Sequence, residues 1–186
     1  MRILRTAGRG AVPWKNGGGV TREIAVSPEG ASMDAFDWRI SLADVGADGP
    51  FSAFPGVDRI LTVAEGAGME LTVGPQRRLI DERLRPYEFP GDLATEGRLL
   101  EGPVVNFNVM YRRGRTAAAT SVVRGRLPLL VPPGSVVVVV ALDGNAVIEE
   151  GERLTLGQYD AAVLDRPSGV LRTEGHAAVV MLRGPA

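Results

Sequence analysis

The sequence predicts an all-β protein, and three observations carry that prediction. Its apolar stretches are short, rich in β-branched residues and mostly alternating. Glycine (24) and proline (13) are spread through the whole chain and punctuate those stretches. No window sustains the i, i+3, i+4 apolar spacing of a long helix.

Taken in order, residues 2–6 read as a short first strand and Pro13 to Gly19 as a loop. Val20–Val26 reads as a strand ended by the turn signal Ser27-Pro28-Glu29-Gly30. Phe36–Ala43 is the next strand, Val45–Pro50 a loop, and Phe51–Val57 irregular. Asp58–Val63 and Met69–Val73 form a hairpin across Glu65-Gly66-Ala67-Gly68. Arg77–Ile80 and Tyr87–Phe89 are short strands, and Val104–Tyr111 is a long one. Residues 113–126, with Gly114, the small-residue run Thr116–Ser121 and Arg124-Gly125-Arg126, read as a crossover between two halves. After Leu127–Val131, the unbroken apolar run Val136–Leu142 marks a strand covered on both faces. Ala146–Glu149, Arg153–Leu156, Ala161–Leu164, Val170–Thr173 and Ala177–Leu182 complete the series.

This series contains a weak repeat. Strand, acidic-Gly turn, strand, Gly turn, strand and a Tyr-to-Asp segment run from Arg59 to Asp92 and again from Val136 to Asp165, offset by about 72–78 residues. Two β-units of this size predict two jelly-roll barrels in one chain. The expected division is residues 1–115 for a first barrel with extra material at its front, and 116–186 for a second, smaller one.

Bulk composition removes several function classes. The 186 residues are 45% hydrophobic, enough for a buried core, and the net charge is −1. That balance favours neither nucleic acid nor an anionic membrane as partner. The absence of cysteine rules out disulfides and thiolate chemistry. One histidine, His176, supports neither a multi-histidine metal site nor a Ser-His-acid set, so no metal and no cofactor are expected. Gly17-Gly18-Gly19 precedes a strand and lacks the Lys-Ser/Thr of a phosphate loop. The N-terminal residues show no signal-peptide pattern, which leads to the expectation of a cytoplasmic location.

The residues left over point to a pocket in the first barrel. Trp14, Lys15 and Asn16 stand directly before the three glycines, and Lys15 is the only lysine beside twenty arginines. Thr21, Arg22 and Glu23 place polar groups inside the following strand. On Phe36–Ala43, alternation puts Trp38, Ile40 and Leu42 on one face and Arg39 and Ser41 on the other. On Val104–Tyr111, Asn106, Asn108 and Met110 share a face, although Asn is a poor strand residue. With Arg59 and the apolar walls Trp14, Trp38, Phe51 and Phe54, these side chains fit a small carboxylate, which an arginine fork binds in bidentate fashion. A metal-free isomerase or hydrolase on a similar acid, with Glu23 as acid–base group, is the alternative.

The motifs Trp14–Ile24, Trp38–Ala43, Gly49–Arg59, Phe89-Pro90-Gly91-Asp92 and Asn106–Met110, in this order, resemble those of the HutD/Ves family. The resemblance covers residues 12–113 closely and the remainder only as a general second barrel. It implies a bicupin fold without the usual cupin metal histidines. It also implies an association with histidine utilisation, where a role in binding pathway intermediates and governing flux is suggested, and with cold- or stress-related proteins; the acid expected in this pocket is then urocanate or a formyl- or formimino-glutamate. No defined reaction is established for the family, and its members tend to form homodimers. Its recurrent polar positions correspond here to Lys15, Asn16, Thr21, Arg22, Glu23, Arg39, Ser41, Ser52, Arg59, Asn106 and Asn108.

Overall fold

The computed structural model describes residues 1–166 and 169–184. Every regular element among them is a β-strand, and no helix is long and apolar enough to cross a membrane. The chain divides into two compact units, Gly10–Arg113 (the N-terminal unit) and Met1–Arg9 with Gly114–Ala186 (the C-terminal unit).

In chain order, β1 (Arg2–Leu4) comes first. β2 (Val12–Pro13), β3 (Gly19–Ser27), β4 (Trp38–Val45), β5 (Gly49–Phe51), β6 (Val57–Glu65), β7 (Met69–Val73), β8 (Gln76–Ile80), β9 (Tyr87–Pro90), β10 (Thr95–Leu99) and β11 (Val104–Arg112) build the N-terminal unit. β12 (Ala117–Pro128), β13 (Ser135–Asp143), β14 (Ala146–Glu150), β15 (Glu152–Leu156), β16 (Ala161–Leu164) and β17 (Val170–Arg183) follow.

The N-terminal unit has two curled antiparallel sheets, ordered β2-β3-β4-β11-β6-β9 and β5-β10-β7-β8. Their inner faces meet in a core that joins Leu61, Val63 and Phe89 of the first to Met69, Leu71 and Val73 of the second. The C-terminal unit is one sheet, β1-β16-β13-β17-β14-β15, with β12 also on β17. Its core is almost wholly aliphatic, from Val137, Val139 and Ala141 to Ile148, Leu156 and Leu164.

The repeat in the sequence has a counterpart in strand order. The run β4-β11-β6-β9 recurs as β12-β17-β13-β16. In matching registers Arg59 faces Met110 as Val137 faces Met181, Leu61 faces Asn108 as Val139 faces Val179, and Val63 faces Asn106 as Ala141 faces Ala177.

Four local expectations change. Residues 1–9 sit with the C-terminal unit, because β1 pairs β16 in the register Arg2↔Val163 to Leu4↔Ala161. Asp160 fixes that segment by accepting hydrogen bonds from the Thr6 amide and Arg5 Nη1, both at 2.7 Å. Burial pulls the Asp160 carboxyl upward, yet the Thr6, Arg5 and Gly157 donors together hold it below the usual carboxylate range. The expected crossover at 113–126 is largely strand β12, paired along β17, so its small residues serve a ladder. Gly49–Phe51 and Thr95–Leu99 pair as β5 and β10 despite weak apolar signals. Val170–Thr173 and Ala177–Leu182 are parts of one strand, β17, interrupted in its pairing with β12 and β13 by register shifts.

Candidate functional site

Strand alternation and antiparallel register place the polar residues of the N-terminal unit in rows on the inner face of its larger sheet. One row runs Thr21–Ala43–Asn106–Val63, the next Glu23–Ser41–Asn108–Leu61, and the third Val26–Arg39–Met110–Arg59. A bulge at Ile24 shifts the register between Glu23 and Ala25. Before it the odd-numbered side chains face inward, and after it Val26 does. The bulge therefore lets Glu23 face the interior while the strand continues to bury apolar residues on both faces. These rows floor a cavity of about 740 Å³, within the range of small-molecule sites.

Arg59 is its most unusual member. The residue is 6% exposed, its Nε has no hydrogen-bond partner, and no carboxylate among the described residues forms an ion pair with it. Its guanidinium lies over the rings of Phe51, Phe89 and Phe54, at 5.0, 5.3 and 5.9 Å from their centroids. Those rings offset part of the cost of burying a charge, but they accept no conventional hydrogen bond. Burial, and then the nearby charge of Arg39, lower the Arg59 pKa to about 10. Gly97 makes room for this cage, since a Cβ there would stand 2.7 Å from the Phe51 ring.

Arg39 is in a different state. Its Nε donates to Glu23 Oε2 at 2.7 Å, and its side chain is 11% exposed against 42% for Glu23. Met110 lies between Arg39 and Arg59, Ser41 lies between Glu23 and Asn108, and both are buried. Asn106 and Asn108 are buried too, and the Oδ1 of each lacks a donor. Asn106 Nδ2 has only the Met69 sulfur, at 3.8 Å.

The loop before β3 forms the rim. Trp14 Nε1 donates to Thr21 Oγ1 at 2.7 Å, and the Trp14 and Phe51 rings are tilted against each other with centroids 6.4 Å apart. The Trp14 amide donates to the Gly19 carbonyl, and the Gly18 amide to Asn16 Oδ1. Gly19 has no room for a side chain, because a Cβ would lie 2.3 Å from the Asp44 carbonyl oxygen. Lys15, Asn16 and Ser52 are exposed on this rim and line the cavity. The loop after β3 contributes Ala31, Ser32 and Met33 to the lining.

The structure thus brings Trp14, Lys15, Asn16, Thr21, Glu23, Arg39, Ser41, Phe51, Ser52, Arg59, Asn106, Asn108 and Met110 to one cavity. It does not bring Arg22 or Trp38 there. Arg22, next to Glu23 in a strand, points to the other face and forms an ion pair with Asp44. Trp38 is buried beside Arg39 in sequence, but alternation turns it the other way with Ile40 and Leu42. Sequence reasoning missed the loop Ala31–Met33, which carries no signal, and the role of Phe89, whose Phe-Pro-Gly-Asp motif was visible. That motif also anchors the Phe54 loop, since Asp92 accepts from the Gly56 amide at 2.7 Å and pairs with Arg113.

Other ionisable clusters are already satisfied. Arg113 bridges Asp58 and Asp92, while burial and the Glu88 hydrogen bond push the Tyr111 phenol up. A smaller hollow of about 450 Å³ beside Arg78, Arg85 and Tyr87 holds an Arg85 already paired with Glu82. His176 approaches Asp143 at 3.3 Å in the C-terminal unit. No group of three or more His, Asp or Glu side chains among the described residues is placed to hold a metal ion.

Comparison with known proteins follows the same lines. A cupin 2 conserved barrel domain protein from Leptotrichia buccalis shares the fold at a TM-score of 0.57 and 14% identity, covering 94% of this chain and 92% of that one. HutD from Pseudomonas fluorescens SBW25, solved in a formate condition, superposes with a TM-score of 0.86 at 33% identity over 100% of this chain and 99% of that one. An uncharacterised 21.2 kDa protein in the hutC 3′ region of Pseudomonas putida is 34% identical over 177 residues, 94% of this chain and 92% of its own. Protein Ves of Citrobacter koseri is 36% identical over 129 residues, 69% of this chain and 66% of its own. The HutD family model matches residues 8–181, and the chain, an all-β protein of cupin-like fold, belongs to the HutD family.

Proposed function

We propose that the N-terminal unit binds a small carboxylated metabolite without a metal, and that this binding serves a regulatory role in histidine utilisation. In this reading each unit is a cupin-type barrel, the chain is a bicupin, and only the N-terminal barrel has a working pocket. The observation that carries the proposal is Arg59, a buried guanidinium with no carboxylate of its own beside a cavity of about 740 Å³. A ligand carboxylate supplies the missing acceptor, and a charge-assisted bidentate bond in a site shielded from water is strong. Asn106 and Asn108 line the same cavity and keep its floor polar. Trp14 and Phe51 offer apolar walls for the body of a urocanate or of a formyl- or formimino-glutamate. The pathway assignment is supported by the family match and by a relative named for its place beside hutC.

The experiment is calorimetric titration of the purified chain with a panel of small mono- and dicarboxylates, repeated with Arg59→Met. At least one acid binds the native chain, and the variant loses about 2–5 kcal/mol of that affinity. Binding that survives Arg59→Met undiminished removes the proposal.

A further inference from the structure

The pocket floor separates hydrogen-bond donors from acceptors. Arg39 and Arg59 flank Met110 in one cross-strand row. Glu23 and Asn108 flank Ser41 in the adjacent row. The rows lie two residues apart along the strands, a distance of about 6.5–7 Å. The first row presents guanidinium nitrogens. The second presents a half-exposed Glu23 carboxylate that spends Oε2 on Arg39 and, among the described residues, accepts no hydrogen bond at its other oxygen. The Oδ1 atoms of Asn106 and Asn108 are closed off from the cavity.

An all-cationic pocket would suit any anion. This one has a built-in carboxylate in a half-exposed position facing the cavity. A ligand with a second negative group at that end would meet Glu23, a repulsive arrangement. A ligand with an N–H there would donate to the free carboxylate oxygen, and sites built on such groups reject analogues that lack the matching donor.

Resting on the reading that a ligand carboxylate meets Arg59, we propose that Glu23 determines specificity by accepting an N–H from the same ligand. The pocket selects small acids that carry a nitrogen donor at the end away from the carboxylate. Glu23 thereby has two partners. One oxygen holds Arg39 in place, and the other reads the ligand. The bulge at Ile24 is the backbone feature that turns it inward.

The test uses two acids of matched size, 3-(imidazol-4-yl)propionate with a ring N–H and 3-(furan-3-yl)propionate without one, titrated into the full chain and into Glu23→Gln and Arg59→Met. The native chain prefers the imidazole acid by about tenfold or more. Glu23→Gln lowers that ratio to less than about threefold, and Arg59→Met weakens both acids together. Glu23 is partly exposed, so its variant folds, and a melting curve for each variant checks this. A native chain without preference, or a ratio that Glu23→Gln leaves unchanged, overturns this inference while leaving the carboxylate reading intact. No binding of either acid by the native chain also overturns this inference, whereas equal binding of both acids by native chain and Arg59→Met overturns the reading beneath it as well.

Discussion

Arg59, Asn106 and Asn108 occupy strand positions that Val137, Ala177 and Val179 hold in the C-terminal unit. The frameworks match strand for strand over four strands, so the difference lies in what fills them. In the C-terminal unit those positions pack into an aliphatic core, and each buried valine contributes about 1.5–3 kcal/mol. In the N-terminal unit the same places hold a guanidinium and two amides with unmet hydrogen bonds, each of which costs free energy. One unit is filled for stability, and the other gives up stability at positions where a ligand would repay it.

The comparison can be broken most forcefully by carrying the charge across. Val137→Arg puts a guanidinium into an interior without an aromatic cage, and it costs at least about 3–5 kcal/mol or prevents folding. A chain that keeps its urea midpoint after that change would show that the C-terminal interior has room and polarity to spare.

The reverse exchange is gentler. Arg59→Met removes an unpaired buried charge while keeping most of the volume, and it stabilises the ligand-free chain by about 1–2 kcal/mol, since the three rings already offset part of the burial cost. The gain depends on pH. Arg59 has a folded-state pKa of about 10, below its ordinary value, so the folded chain bears the buried charge below pH 10. As pH rises through 10 the folded state sheds a proton that the unfolded chain retains, and native stability rises relative to the variant. Urea titrations at pH 8 and at about pH 11 should show the gap narrowing, and a gap that widens would contradict the assignment of Arg59 as an uncompensated charge.

The smallest effect sharpens the boundary of the site. Arg22→Ala breaks a half-exposed pair with Asp44 and changes stability by no more than about 0.5 kcal/mol, with no loss of acid binding. Weakened binding in that variant would move the edge of the pocket beyond Glu23.

The sequence made the site legible wherever alternation ran unbroken. Asn106, Asn108 and Met110 on one face and Phe107 and Val109 on the other follow from a period of two. The same rule, applied to Trp38 beside Arg39, already placed them apart, and composition alone drew Trp38 into the pocket. Arg22 and Glu23 could not both face inward, because adjacent strand residues diverge. The bulge at Ile24 left no trace in the residues themselves. Neither did strands β5 and β10, whose pairing depends on neighbours rather than on their own sequence. The division of the chain was harder still. Nothing near Arg2 announces a partner at Val163, since register over that separation is fixed only by the assembled sheet.

That last pairing bears on how the chain acquires its structure during synthesis. The stretch that carries the pocket lies in sequence between β1 and the rest of β1's own sheet. At a translation rate of about 5–20 residues per second, Gly10–Arg113 is fully made roughly 2–10 s before β16 emerges to take up β1. The pocket-bearing unit has the opportunity to close first, while a short apolar strand ahead of it waits with its edge unpaired. The Arg5–Asp160 bond then acts as the late fastening, drawn tight only when the C-terminal unit is nearly complete.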